Sequence, residues 1–195
     1  MHGKEHRKLV RHYHDLGHCR ELTFSCYKRT PLLTNNRWRT MLGESIDRAA
    51  ERHGYRLFGF VFMPEHVHLL LYPLPDATTI DFLLRAIKRP FSWRIKQQLA
   101  EVGSPLLKTL TIRQRPGVET FRFWQEGGGY DRNLTSIETA LAALDYVHQN
   151  PVRRGLCRQA AEWPWSSARW YGSSMKNTDS AVPRVHALPA EFLAG

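Results

Sequence analysis

The chain has 195 residues, 42% of them hydrophobic, and this composition predicts one folded globular domain and excludes an intrinsically disordered protein. No run of 18 apolar residues and no apolar signal segment occurs, and the three cysteines lack paired spacing, so the sequence predicts a cytoplasmic protein without disulfides. The net charge of +10 favours a polyanionic partner, most commonly nucleic acid, over a membrane surface.

The first part of the chain alternates between strand and helix patterns. Residues 1–18 are basic and rich in histidine and predict an arm ahead of the fold. Alternating apolar and polar side chains predict a strand over residues 20–27. Apolar residues at three- and four-residue spacing predict a helix over residues 35–53. Two further apolar strands follow, over residues 55–63 and 66–72.

A second helix is predicted over residues 78–102, with Pro90 expected to kink or split it and with Phe82 on its apolar face. Its polar side is a solvated charged face or one that lies along a phosphate backbone. The basic residues on that side are Arg85, Lys88, Arg89, Arg94 and Lys96. Residues 121–125 predict a fourth strand, and the glycines at 127–129 predict a tight turn or a hinge.

The order strand, helix, strand, strand, helix, strand predicts an α+β fold of the ferredoxin-like, split βαβ type. We expect an antiparallel sheet of four to five strands with helices on one face and an open opposite face, plus a C-terminal helix that bears a tyrosine. Residues 1–172 form the predicted domain, and residues 173–195, rich in Ser, Pro and Ala, form a predicted loose extension.

Two histidines stand at the start of the third predicted strand, within the stretch of residues 60–72. Because side chains on a strand alternate between its faces, His66 and His68 point the same way. Two imidazoles that converge from a rigid strand can make half of a divalent-metal site. Taken alone, such a pair is more often two half-exposed histidines of a hairpin.

A third helix is predicted over residues 135–149, started by a capping box of Thr135 and Glu138. Tyr146 lies opposite the apolar side of this helix, and Asn150 lies one turn further on. Taken alone, Tyr146 is an ordinary surface tyrosine. Together with the paired histidines and the basic charge, Tyr146 favours a reaction in which a tyrosine attacks a DNA phosphodiester with the help of a metal ion. A phenol has a pKa near 10, so it needs activation to act as a nucleophile at neutral pH.

Five motifs carry a family resemblance. They are MPEHVH (63–68), FWQ (123–125), YDR (130–132), DYVHQNPVRRGL (145–156) and EWPWSS (162–167). Over residues 20–172 the chain resembles the single-tyrosine HUH transposases, and among them most the REP-associated tyrosine transposases. The resemblance implies a Mg²⁺- or Mn²⁺-dependent, bacterial, nucleoid-associated enzyme that cuts and joins single-stranded DNA. It also implies cleavage near REP-like hairpins through a 5′-phosphotyrosyl link that leaves a free 3′-OH.

The resemblance also implies roles for individual residues. Tyr146 corresponds to the nucleophile, His66, His68 and Asn150 to the metal ligands, and Glu65 to a group that orients an imidazole or stabilises the turn. The candidate DNA contacts are Arg85, Lys88, Arg89, Trp124, Gln125, Arg153 and Arg154. Trp124 is also well explained as a core residue. We expect a monomer or a homodimer.

A hairpin-binding protein that keeps the fold with little or no cleavage is the alternative. The presence of both histidines, the tyrosine and the asparagine argues against it, because binding alone needs none of them. A replication initiator or relaxase of the same superfamily is disfavoured by the chain's size.

Overall fold

The computed structural model describes residues 18–173, 175–176, 179–189 and 192. The strands are β1 (Cys19–Ser25), β2 (Tyr55–Phe62), β3 (His66–Pro73), β4 (Thr111–Arg115), β5 (Val118–Phe121) and β6 (Tyr130–Leu134). The helices are α1 (Asn36–His53), α2 (Ile80–Glu101), α3 (Pro105–Leu110), α4 (Ile137–Arg153) and α5 (Ala168–Gly172). The predicted N-terminal arm lies almost wholly outside the described residues.

The main sheet has four antiparallel strands in the order β2-β3-β1-β6, which confirms the split βαβ fold. The prediction of the fourth strand over residues 121–125 is wrong, because the fourth strand of the sheet, beside β1, is β6. Phe123 and Trp124 are instead buried side chains of the core, and Trp124 joins the sheet only through a single bridge to Cys26. Strands β4 and β5 form a separate hairpin.

Helices α1 and α2 cover one face of the sheet, as predicted. The Asn35 side chain accepts a hydrogen bond from the Trp38 amide at the start of α1, and Gly54 ends that helix in the left-handed conformation, with φ of 73°. Helix α2 runs unbroken through Pro90, so the predicted split does not occur. Phe82 was expected in the core, but it lies on the exposed side of α2.

The opposite face of the sheet is not open, and this corrects the prediction of a free platform. Helix α4 lies across it, and its buried side chains join a second core made with β2, β3 and β6. The residues of this core on α4 are Ala140, Ala143, Leu144 and Val147. A Cβ atom on Gly59 of β2 would lie 2.7 Å from Cδ1 of Leu144. The missing side chain at Gly59 and the small alanines therefore let α4 approach the sheet closely.

The ends of α4 also differ from the prediction. Ser136, rather than Thr135, is the first capping residue, and its partner in the capping box is Thr139 instead of Glu138. The helix continues through Pro151 to Arg153, so Asn150 is helical and lies directly one turn beyond Tyr146. This continuation matters, because it fixes the spacing of two predicted site residues.

The chain after α4 returns to the free edge of β2. The Phe62 amide donates to the Trp165 carbonyl at 2.8 Å, and the Ser167 amide donates to the Phe60 carbonyl at 3.0 Å. Further on, within the described residues of the predicted C-terminal extension, the His186 amide donates to the Leu57 carbonyl at 2.8 Å. These bonds cover an edge that would otherwise expose unpaired backbone groups. In the described ranges, no helix has both the length and the apolar character to span a membrane.

Two glycines before β6 make a matched test of how closely β6 approaches β1. Gly127 and Gly129 both have positive φ, 102° and 81°, but an added Cβ meets nothing within 4 Å at Gly127 and collides with the Thr23 carbonyl at Gly129. We expect Gly127→Ala to lower the free energy of unfolding by about 1–2 kcal/mol through backbone strain. Gly129→Ala should lower it by roughly 1–3 kcal/mol more through the collision.

Urea unfolding of the two variants beside the wild-type protein measures both values. Equal losses for the two variants would contradict the close packing of Gly129 on β1.

Candidate active site

The two histidines of β3 meet at their outer nitrogens. His66 Nε2 and His68 Nε2 are 3.0 Å apart, and both residues are buried, with 5% and 6% of their surface exposed. Their side chains lie on the face of the sheet that α4 covers. The predicted co-facing arrangement is therefore present, but the pair is enclosed between the sheet and the helix instead of half-exposed.

The inner nitrogens of both rings are held by hydrogen bonds. His66 Nδ1 is 3.1 Å from Glu65 Oε1, and His68 Nδ1 is 2.8 Å from Thr23 Oγ1. An ionised carboxylate only accepts, so His66 carries its proton on Nδ1 and turns a lone pair at Nε2 toward His68. When Thr23 accepts from His68 in the same way, two lone pairs face each other across 3.0 Å. A bound cation relieves that repulsion, so the donor set fits a divalent metal ion.

Burial keeps the imidazoles neutral. It lowers the pKa of His68 to about 3, with the positive charges of His66 and Arg29 acting in the same direction. Burial also lowers the pKa of His66, although the Glu65 carboxylate partly opposes the change. Neutral imidazole is the form that binds a metal ion, so both rings are ready to act as ligands at neutral pH.

Glu65 joins the histidine strand to the end of α4. Its Oε1 atom lies 2.8 Å from Arg154 Nη1 and 3.4 Å from Arg29 Nη2, in addition to its bond with His66. Burial acts to raise the pKa of Glu65, but the hydrogen bond from Arg154 and the nearby positive charges outweigh it and lower the pKa. The carboxylate therefore stays ionised and ties the C-terminal end of α4 to His66.

Helix α4 brings Tyr146 and Asn150 to the histidines. Asn150 Nδ2 lies 3.5 Å from His68 Nε2, and a rotation of the amide by 180° presents its oxygen at the same position. The Tyr146 and His68 rings stand edge to face with centroids 6.0 Å apart. Tyr146 keeps 45% of its surface exposed, and the Arg153 guanidinium lies 5.0 Å from its ring centroid. The arrangement presents one phenol to solvent beside three ligand-capable side chains.

The four residues predicted as nucleophile and metal ligands thus come from β3 and α4 to one place. Within the described part of the chain, no group of three or more His, Cys, Asp and Glu side chains is arranged to hold a metal ion. The two imidazoles of His66 and His68 and the amide of Asn150 remain the predicted ligand set.

Five of the predicted DNA contacts line one groove of about 630 Å³ between α2 and the segment before β6. They are Arg85, Lys88, Arg89, Trp124 and Gln125. Lys88 Nζ donates to the Gly127 carbonyl at 3.3 Å, and burial lowers the pKa of this lysine to about 8. The Trp124 ring is mostly buried, with its centroid 4.9 Å from that of Phe24. The remaining two, Arg153 and Arg154, lie at the end of α4 beside Tyr146 and Glu65.

Thr23 and Arg29 belong to the site, but the sequence analysis did not identify them. Thr23 orients His68, and Arg29 lies beside Glu65. Both are about 40 residues away from the histidines, and only the pairing of β1 with β3 brings them close. The sequence offered one indication of Thr23. The polar side chains of β1 alternate with apolar ones, and on pairing with β3 they had to lie on the same face as His66 and His68.

A partly buried histidine two residues after Tyr146 makes stability depend on pH. His148 Nε2 lies 2.8 Å from Ser167 Oγ, and burial lowers the pKa of His148 to about 4, with Asp145 partly opposing. In the unfolded chain His148 binds a proton below its ordinary pKa of about 6.5, whereas in the folded chain it stays neutral down to its lowered pKa. The contribution of His148 to the free energy of unfolding is therefore complete above about pH 6.5 and falls as the pH is lowered. We expect His148 to contribute a loss of about 2 kcal/mol between pH 7 and pH 5.

Urea unfolding at pH 7 and pH 5, with chelator present, measures this loss. The His148→Gln variant keeps a hydrogen-bonding group toward Ser167 but cannot titrate, so its pH dependence should be smaller than that of the wild-type protein. The same loss in both proteins would contradict the assignment.

Comparison with known proteins agrees with this geometry. The sequence pattern of the family described as "Transposase IS200 like" matches residues 18–114, about half of the chain, and this span contains both histidines. The chain belongs to the IS200-like transposase family. The predicted resemblance to REP-associated tyrosine transposases is confirmed by the relatives below. The match assigns no role to any single residue and ends before Tyr146 and Asn150, so the nucleophile and all three metal ligands remain predictions.

Two curated relatives of this IS200-like chain carry the REP-associated name. The REP-associated tyrosine transposase of Escherichia coli K12 is 27% identical over 141 residues, which cover 72% of this chain and 69% of that protein. A Haemophilus influenzae protein, assigned by its name to the same group, is 22% identical over 120 residues. That second match spans 62% of each protein, less than two thirds of the relative's length.

A solved structure shares the fold of this IS200-like chain. It is a REP-associated tyrosine transposase bound to a REP hairpin, and it is 20% identical in sequence, with a TM-score of 0.63. The match covers 93% of this chain and all of that one. The predicted fold class is therefore confirmed in the family to which the chain belongs.

Proposed function

We propose that the protein is a metal-dependent endonuclease and strand transferase of single-stranded DNA that cleaves near REP-like hairpins through a 5′-phosphotyrosine intermediate. The observation that carries the proposal is the meeting of Tyr146, exposed on α4, with the paired Nε2 atoms of His66 and His68 on β3. A protein that only binds hairpins has no need for two facing imidazole lone pairs beside a solvent-exposed phenol.

Each residue of the site has a separate role in the proposed reaction. His66, His68 and Asn150 would hold Mg²⁺ or Mn²⁺, which when bound would supply positive charge for the oxygens of the scissile phosphate. Tyr146 Oη gives up its proton to solvent and attacks the phosphorus, the bond from phosphorus to the 3′ oxygen breaks, and the leaving oxygen takes up a proton from solvent as a 3′-OH. The 5′ phosphate stays esterified to Tyr146. Attack by another 3′-OH on this ester reverses the step and joins two strands.

The surroundings of the site orient these groups. Glu65 and Thr23 fix the two imidazole rings through their inner nitrogens, so the outer nitrogens stay aimed at one point. The bond from Arg154 to Glu65 and the close packing of α4 over Gly59 hold the tyrosine helix on the same sheet face. Since Tyr146 and both histidines come from one chain, we propose that a single copy of the protein forms a complete site in cis.

The basic groove supports a DNA substrate. Arg85, Lys88 and Arg89 of α2 line it together with Gln125, and the whole chain carries a net charge of +10. Positive side chains along a groove follow a phosphate backbone without reading its sequence. The hairpin bound to the solved relative of the same fold supports a hairpin as the form of the substrate.

Covalent trapping tests the proposed function. The protein is mixed with labelled single-stranded DNA that carries hairpins from beside its own gene, with Mn²⁺ or Mg²⁺, and is then denatured in SDS. We expect a labelled adduct at the mass of the protein plus one DNA fragment, and no adduct when a chelator is present. Tight binding without an adduct, with both metals and several hairpins, would make the protein a hairpin-binding module instead.

A further inference from the structure

One exposed tyrosine outside the proposed reaction lies in a row with the histidine pair. Thr23 of β1 stands directly opposite His68 of β3 on one side and opposite Tyr130 of β6 on the other. Directly opposite residues of antiparallel strands have their side chains on the same face, about 5 Å apart. The bond between Thr23 Oγ1 and His68 Nδ1 shows that this face is the one with the proposed active site.

A salt bridge two residues along β6 supports the same orientation. Arg132 Nη2 lies 2.7 Å from Glu21 Oε2, and these two residues are also direct partners across β6 and β1. Because side chains alternate along a strand, Tyr130 shares the face of Arg132, as Thr23 shares the face of Glu21. Two strand spacings separate Tyr130 from His68, which is about 10 Å.

The Tyr130 side chain is uncovered at the β6 edge of this face. It keeps 53% of its surface exposed, and among the described residues no aromatic ring or cation packs against it. A free aromatic face of this kind is what single-stranded nucleic acids use as a stacking surface, since every base has a π face.

The segment before Tyr130 connects it with the basic groove. Gly127 and Gly128 line that groove, and the Gly127 carbonyl accepts the hydrogen bond from Lys88. Gly129 then lies so close to Thr23 that a side chain there has no room. The chain that leads from the groove to Tyr130 thus consists of three glycines, residues 127–129, which have no side chains beyond the backbone.

We infer that Tyr130 is the stacking site for an unpaired DNA base next to the scissile phosphate. The inference rests on the proposed function and extends it, because it gives the strand a path from the groove, over residues 127–129, to Tyr146. Tyr130 is a positioning residue in this arrangement: its ring holds the neighbouring nucleotide, and its hydroxyl takes no part in the chemistry. Stacking tolerates any base, so Tyr130 sets position and not sequence.

A binding experiment without metal tests the stacking separately from cleavage. The probe is a hairpin oligonucleotide from beside the gene, with a single-stranded 5′ extension that carries 2-aminopurine at one position at a time. With chelator present, we expect binding of the wild-type protein to quench the fluorescence at one position of the extension. Tyr130→Phe should keep the quenching, and Tyr130→Ala should lose it and bind roughly 5- to 100-fold more weakly.

The control is Trp93→Ala, which removes an exposed aromatic ring from α2 on the other side of the sheet and should leave the quenching unchanged. An abasic site at the quenched position should weaken binding to the wild-type protein but not to Tyr130→Ala. Retained quenching and affinity in Tyr130→Ala would overturn the inference. Loss of the covalent adduct in Tyr130→Phe would overturn it as well, since it would assign chemistry to the hydroxyl.

Failure of the inference and failure of the proposed function give different results. Position-specific quenching that depends on the Tyr130 ring, without any adduct from the wild-type protein, would uphold the stacking site and reject the endonuclease. An adduct that forms equally well in Tyr130→Ala, with unchanged KM, would uphold the endonuclease and reject the stacking site. No binding of any hairpin probe by the wild-type protein would overturn both.

Discussion

Tyr146→Phe is expected to abolish the covalent adduct with DNA while it leaves DNA affinity and the free energy of unfolding nearly unchanged. The substitution removes only the Oη atom of a side chain that is 45% exposed. The ring stays in place, with its edge-to-face contact to His68 and its contact with the Arg153 guanidinium. Because the proposed phosphotyrosyl link forms at Oη, we expect adduct formation to fall on the order of 1,000-fold or more.

Gel analysis of the SDS-treated reaction measures the adduct, and a binding assay in chelator measures affinity. Tyr130→Phe is the matched control, because it removes the same atom from the other exposed tyrosine on this face of the sheet. An adduct that persists in Tyr146→Phe would show that a different residue is the nucleophile.

Removal of either buried imidazole should eliminate both cleavage and stabilisation by metal. His66 and His68 aim their Nε2 atoms at one point, so a single alanine substitution leaves an incomplete set of ligands. Changes to residues that only support metal ligands commonly cost 10–100-fold in activity or affinity, so we expect loss of a ligand to reduce adduct formation by at least about 100-fold.

Thermal unfolding provides a readout that does not depend on activity. A ligand at 100 times its Kd stabilises a folded protein by about 2.7 kcal/mol, so Mn²⁺ should raise the Tm of the wild-type protein and leave that of His66→Ala and His68→Ala unchanged. His53→Ala is the control, because His53 also bonds a threonine hydroxyl through Nδ1 but lies at the end of α1. Equal Mn²⁺-dependent shifts in all four proteins would argue against a metal site at β3.

Local sequence patterns were sufficient for the parts of the site that neighbouring residues define. The period of two in a strand placed His66 and His68 on one face, and the period of 3.6 in a helix placed Tyr146 away from the buried residues of α4, although its ring reaches His68 at the margin of the packed side. The continuation of α4 through Pro151 was not predicted, although it strengthens the relation between Tyr146 and Asn150. A proline in the last turn of a helix is a weak stop signal when the turn packs on a sheet.

The fourth strand shows where the sequence was misleading. The segment FRFWQ has the alternation of a half-buried strand, yet its Phe123 and Trp124 fill the core outside the sheet. The true strand, YDRNL, is mostly polar because it is an edge strand whose side chains pair with Arg20 and Glu21 of β1. A strand held by polar cross-strand pairs lacks alternating apolar residues, so the hydrophobic pattern does not predict it.

Long-range contacts explain the rest. The position of α4 on the second sheet face depends on the absence of a side chain at Gly59, and the link from Arg154 to Glu65 joins residues 89 positions apart. Neither feature could be predicted from a spacing. As a result, the sequence brought out the two histidines, the tyrosine and the asparagine, but neither Thr23 and Arg29 nor the burial of the histidine pair.

The close packing of α4 on the sheet of its own chain has a genetic consequence. A chain with Tyr146→Phe and a chain with His68→Ala each lack one half of the same site, and neither can lend its tyrosine helix to the other without first pulling Leu144 away from Gly59. Two such alleles in one cell should therefore fail to complement each other. If the site forms in cis as proposed, an active copy of this gene acts through its own product, and a defective copy cannot restore another defective copy.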